Sequence, residues 1–142
     1  MRLYRIGLGG GLFVCAALAA GCGGPVHVEG KVIRDGKPLA GATVIFLPVG
    51  EGQEAGDVTD KEGGFRLKNP QKEGVLPGEY LVTVSKKVWP PGMKEPGPYE
   101  LSIPLVAKMK ESLPEKYTLK EKTPLKITVP RGGTKDLVLE IK

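Results

Sequence analysis

The chain has 142 residues, a net charge of +5 at neutral pH and a hydrophobic content of 40%. That length fits one domain with its own core, and the charge is too small to imply a nucleic-acid binder. Both cysteines, Cys15 and Cys22, lie near the start, so the rest of the chain has no disulfide framework and no thiolate metal site.

Met1–Arg5 is a short basic stretch carrying Arg2 and Arg5, and Ile6–Ala20 is an uncharged, mostly apolar run. A bilayer span takes roughly 20 apolar residues. The run is shorter than that and suits a Sec-type secretory signal followed by small residues at a cleavage site. The arginines are not adjacent, which argues against a twin-arginine signal. Leu18-Ala19-Ala20-Gly21-Cys22 ends the leader. Ala19, Ala20, Gly21 and Cys22 resemble the lipobox of bacterial lipoproteins, with Ala19 standing where that family most often has Leu. The resemblance implies cleavage before Cys22 and lipid on its thiol. The alternative is ordinary signal cleavage, which would leave a lone thiol exposed in an oxidising compartment. Residues 1–21 are therefore expected to be a signal peptide, 22–25 a lipidated tether and 26–142 the folded domain. Gly23, Gly24 and Pro25 span only about 10 Å, which keeps the domain close to a membrane.

Beyond the tether, Val26, Val28 and Val32 alternate with His27, Glu29 and Lys31, the period of a half-buried strand. Asp35-Gly36 is a hairpin signal. Ala42–Leu47 reads as a central strand and Pro48–Gly56 as a loop. Asp57–Asp60 is a short strand, and Asp60–Gly64 a turn ahead of alternating Phe65 and Leu67. Asn69–Gly78 is loop, and Glu79–Lys86 is a strand with Tyr80, Val82 and Val84 on one face. Leu125, Ile127 and Val129 form another, and Leu137, Leu139 and Ile141 close the chain after the Pro130–Gly133 turn. Seven short strands separated by turns predict an all-β sandwich or barrel. The 21 Gly and 13 Pro residues fit that pattern of frequent turns.

The stretch from Val88 to Thr123 is long for a plain connection. A short helix is predicted over Pro104–Leu113, with Leu105, Met109 and Leu113 on one face and Pro114 as its stop. Residues 86–126 hold nine lysines and five glutamates, net +4, whereas residues 23–85 are net −2. The candidate interaction surface is Trp89, Lys94, Lys108, Lys110, Lys116, Lys120 and Lys122. Two readings stand side by side. The segment binds an envelope partner, or Trp89, Leu105, Met109 and Leu113 only seal one open side of the sandwich; both hold if the apolar face seals while the six lysines face out.

Several motifs in order resemble the bacterial carboxypeptidase regulatory-like domains. They are Val28-Glu29-Gly30-Lys31-Val32, Asp35–Val44, Thr59–Phe65 and Leu76–Val84. Pro114-Glu115-Lys116-Tyr117, Thr123-Pro124-Leu125 and Lys135-Asp136-Leu137 resemble a lipoprotein subgroup of that family. The resemblance implies a transthyretin-like, seven-stranded Greek-key β-sandwich with a short helix in the long connection. It implies no peptidase site. Catalysis is not expected: His27 is the single histidine, beside the tether, and a zinc site needs more ligands. Calcium at Asp57, Asp60 and Glu62 is a weaker idea, because Asp60 already has a turn to hold. No cofactor and no metal are expected. The expected partners are the membrane, through lipid on Cys22, and an envelope protein or polysaccharide. The expected role is a non-catalytic envelope module or, alternatively, an accessory lipoprotein of a transport or secretion assembly.

Overall fold

The computed structural model of the protein describes residues 24–69 and 74–142. The expected leader and the lipobox residues Ala19, Ala20, Gly21 and Cys22 lie outside the described residues. The strands are β1 (Val28–Arg34), β2 (Lys37–Pro38), β3 (Thr43–Pro48), β4 (Ala55–Val58), β5 (Gly64–Arg66), β6 (Gly78–Ser85), β7 (Lys87–Val88), β8 (Lys110–Glu111), β9 (Lys126–Val129) and β10 (Thr134–Ile141). Two one-turn helices, α1 (Ile103–Val106) and α2 (Glu115–Thr118), interrupt them. One four-stranded sheet has β1 at its centre, β10 on one side and β2 and β5 on the other. The second runs β4-β3-β6-β9, and β7 pairs with β8 as a separate ribbon. The β1–β10 pair is parallel and the other pairs are antiparallel.

The protein is thus all-β, with two sheets whose apolar faces share one core. Alternation is what makes this work, since successive side chains in a strand point to opposite faces. β1 buries Val28 and Val32, β3 buries Val44 and Phe46, and β6 buries Tyr80, Val82 and Val84. Ile127 packs half-buried against the core while Lys126 and Thr128 are exposed, which is the register the sequence predicts. Phe46 bridges the sheets. Its ring centroid lies 6.2 Å from that of Phe65 on the opposite sheet and 5.9 Å from that of Tyr80 beside it.

Local chemistry sets the turns. Asp35 and Gly36 both have positive φ, 51° and 77°, as a two-residue hairpin of primed type requires. Gly30 lets β10 and the Phe65 ring come close: a Cβ there would lie 2.5 Å from the Leu137 carbonyl and 2.8 Å from the Phe65 ring. Asp60 Oδ1 accepts from the amides of Glu62 (2.9 Å) and Gly64 (2.8 Å), fixing the turn into β5. The Tyr80 hydroxyl donates to the Leu76 carbonyl at 2.7 Å, as in a tyrosine corner, and burial pushes its pKa up.

Three expectations need correction. The predicted helix over Pro104–Leu113 is only the turn Ile103–Val106, and Lys110 and Glu111 are strand instead. α1 buries none of its residues, and its N-cap, Ser102, makes no side-chain cap bond, so nothing stabilises a longer helix. Pro114 does not simply stop a helix; it is the N-cap of α2. The Gly- and Glu-rich loop ends earlier than predicted. Ala55 is buried and Gly56 lies within β4, where a Cβ would be 2.6 Å from the Val44 carbonyl.

The chain's direction through the sheets separates two ends. At one, Val26 bridges Val75, and the Thr134 amide donates to the His27 carbonyl at 3.0 Å. Gly24 and Pro25 are exposed there. At the other end, β1, β6 and β10 all finish. Arg34 Nη1 donates to the Ser112 carbonyl (3.3 Å), the Ser112 hydroxyl to the Lys86 carbonyl (2.7 Å) and the Lys142 amide to the Tyr117 hydroxyl (3.2 Å). β1 has seven residues. At about 3.3 Å per residue, the two ends of β1 lie roughly 20 Å apart.

Candidate functional site

The connection between β6 and β9 is organised around two anchors. The first is Glu111. Its Oε1 accepts from the amides of Lys86 (2.9 Å), Leu113 (3.0 Å) and Ser112 (3.1 Å), and its Oε2 accepts from the Ser85 hydroxyl. Partial burial alone would raise this carboxyl. The hydrogen bonds from Ser85 and the three backbone amides outweigh that and hold it below the usual glutamate range. The second anchor is the pair Leu113 and Tyr117, both buried in the main core. Together they seal the end of the sandwich. Trp89, Leu105 and Met109 are half-buried.

The sealing half of the sequence reading therefore holds for Leu113, with Tyr117 added to it. The lysines Lys94, Lys108, Lys110, Lys116, Lys120 and Lys122 are all exposed. They are spread over separate elements and do not form one compact cluster on a single strand or helix. Lys110 is on β8 and Lys116 on α2. The Lys116 ammonium lies 4.8 Å from the centre of the Tyr117 ring, and Lys122 pairs with Glu115 at 2.9 Å. Lys94 follows the turn at Trp89-Pro90-Pro91-Gly92, which the Met93 amide closes on the Pro90 carbonyl at 3.1 Å.

Sequence reasoning missed the apolar residues that this connection leaves in water. Tyr99 is 100% exposed and Ile103 89%, with Leu101 at 53% and Val106 at 42%. Leu101, Ile103 and Val106 line an open groove of about 460 Å³ together with Lys87, Ser102 and Ala107. The signal for Tyr99 was present in Glu95-Pro96-Gly97-Pro98-Tyr99. Prolines at that spacing prevent the ladder pairing that would carry a tyrosine into a core.

Neither a family model nor a curated protein or solved structure matches this chain. What the site can do must come from its residues. Among the described residues, no group of three or more histidines, cysteines and carboxylates is placed to hold a metal ion. Of the weighed calcium ligands, Asp60 is bonded to turn amides, and Asp57 Oδ2 accepts from the Arg66 amide at 2.9 Å. His27 is exposed on the lead-in to β1.

Glu111→Ala should destabilise the domain by about 1–2 kcal/mol, the scale of losing charge-assisted bonds at a partly solvated site. The carboxyl is held low in the folded chain. Its contribution is therefore complete above the ordinary glutamate pKa and fades as pH falls through that value to the lower folded one. Urea unfolding of native chain and variant should show a gap at neutral pH that narrows in acid. A gap that is constant down to strongly acidic pH would rule this role out.

Proposed function

We propose that the protein is a lipid-anchored, non-catalytic β-sandwich module of the bacterial cell envelope. In this reading a Sec-type leader is removed before Cys22, and lipid on Cys22 holds the domain to a membrane. The sandwich is of transthyretin-like, Greek-key type and resembles the carboxypeptidase regulatory-like domains, acting through the connection from Val88 to Thr123. The observation that carries the reading is the separation of the two ends. The tether leaves beside Val26 and Val75, while the long connection caps the opposite end through Arg34, Ser112 and Tyr117. A short anchor at one end and an elaborated loop at the other suit a module that presents a surface outward from a membrane. Long loops on a rigid β scaffold are where binding residues concentrate.

Expression of the full chain in a bacterium tests the anchor. The protein should partition into detergent and begin at an acylated cysteine by mass spectrometry. Cys22→Ala should leave uncut precursor, because processing requires the lipidated thiol. One buried chain gives marginal binding, and two or more give stable anchoring at about 0.8 kcal/mol per methylene. A soluble mature form with a free Cys22 thiol would sink the proposal.

A further inference from the structure

We infer that the end of the sandwich nearest Cys22 is a face that seats on an anionic bilayer, with Leu76 entering the headgroup layer beside Pro25 and with Arg131 and Lys135 meeting lipid phosphates. The inference deepens the lipid-anchor reading and rests on it.

The reach of the chain selects the occupant. Val26 is tied into the domain in both directions: its amide donates to the Val75 carbonyl at 2.8 Å, and its carbonyl accepts from the Val75 amide at 2.9 Å. Cys22 stands four residues earlier, about 14 Å away at full extension. The polar headgroup layer on each side of a bilayer is roughly 5–8 Å deep. Lipid on Cys22 starts the tether at the base of that layer. Even a taut tether then leaves the loops around Val26 at most about 9 Å of clearance. A bilayer is therefore the surface this end meets first.

The residues at this end fit that surface and give it a direction. Leu76 is 47% exposed although its neighbour Val75 is buried. Pro25 and Leu76 line the same small cleft of about 190 Å³, so an apolar side chain stands beside the point where the chain enters the domain. The turn from β9 to β10 flanks it. Lys135 lines an open cleft of about 630 Å³ with Pro25, His27 and Asp136, and Arg131 is exposed in the same turn. Pro130–Asp136 thus carries two cations against one carboxylate. β4 lies at the opposite edge of the sheet from β9. On that flank Glu51 and Glu54, exposed ahead of β4, outnumber Lys68, which bridges Gly56. An anionic surface attracts the first flank and repels the second, so the domain tilts toward β10.

The test uses the full chain, processed in a bacterium and held one per nanodisc of phosphatidylcholine with phosphatidylglycerol. Some of the lipid carries a nitroxide on its headgroup. With Cys22 lipidated, a fluorophore can be placed on one new thiol at a time: Leu76→Cys, Gly132→Cys on the basic flank, Gly50→Cys on the acidic flank, and Lys37→Cys beyond the far end of β1. A Cβ at Gly50 or Gly132 meets open space, so neither change disturbs the fold. The nitroxide should quench the Leu76→Cys label strongly and the Lys37→Cys label little. The Gly132→Cys label should be quenched about twofold or more over the Gly50→Cys label, because each cation near an anionic surface favours it by about fivefold. Arg131→Glu with Lys135→Glu, or discs of phosphatidylcholine alone, should close that gap. Equal quenching of Leu76→Cys and Lys37→Cys, or of the two flanks in anionic discs, would mean a loosely swinging domain and overturns the inference. A flank difference that survives the double charge reversal does the same. Shielding of the Leu76→Cys label that appears only with two chains per disc would assign the face to a second copy and also overturns it. Intact mass reads the lipid on Cys22 in the same sample. A mature chain without lipid overturns the anchor and the seat together, whereas a lipidated chain with evenly quenched labels overturns the seat alone.

Discussion

Phe46→Ala should destabilise the domain by about 3–5 kcal/mol, the usual cost of removing a fully buried aromatic side chain. Phe46 is entirely buried in β3, and its ring meets Phe65 from the other sheet and Tyr80 from the neighbouring strand. Truncation would leave a cavity that both sheets line, and neither can collapse into it without shifting the other. Small domains have total stabilities of about 5–15 kcal/mol, so this one change would bring the chain near its unfolding threshold. Ile127→Ala supplies the contrast. Ile127 is half-buried on the edge strand β9, and its loss should cost about 1–2 kcal/mol. Urea denaturation of the two variants measures both. Equal small losses would mean that the aromatic trio does not form the centre of the core.

These positions could be read from the sequence because strand alternation is a strong, local signal. Val44 and Phe46, Tyr80, Val82 and Val84, and Leu139 sit at every second residue of their strands, and each is buried. Asp35-Gly36 and Asp60 were legible for a similar reason, since their backbone geometry is dictated by the residues themselves. What escaped the sequence depends on contacts between distant parts of the chain. Leu39 and Val75 are buried although they lie in loops. They pack because the backbone around them is tied across the fold, as where the Thr59 hydroxyl donates to the Leu39 carbonyl at 2.6 Å and Val26 bridges Val75. The misread helix is the same lesson. Leu105, Met109 and Leu113 have helical spacing, yet Glu111 draws its stretch alongside Lys86, twenty-five residues earlier. Of the candidate site, the exposed lysines were visible in advance. The exposed apolar strip was not, because periodicity reports which residues can be buried, not which ones the fold leaves outside.

The long connection itself should divide into a sealing side and a presenting side. Tyr117→Ala should cost about 3–4 kcal/mol, because the ring is buried in the main core and no other residue of α2 is. Tyr117→Phe removes only the hydroxyl that accepts from the Lys142 amide, and should cost about 0.5–1.5 kcal/mol. Tyr99→Ser, eighteen residues earlier in the same connection, removes a side chain that is fully exposed, and should change stability by no more than about 0.5 kcal/mol. Thermal melts of the three variants separate the roles. If Tyr99→Ser destabilised the domain as much as Tyr117→Ala, the strip around Tyr99 would be part of the seal and could not serve as a free surface. If Tyr117→Ala left the melt unchanged, the connection would be an appendage that the sandwich does not need. The burial difference between the two tyrosines predicts neither outcome: one aromatic closes the end of the core, and the other is held out from it.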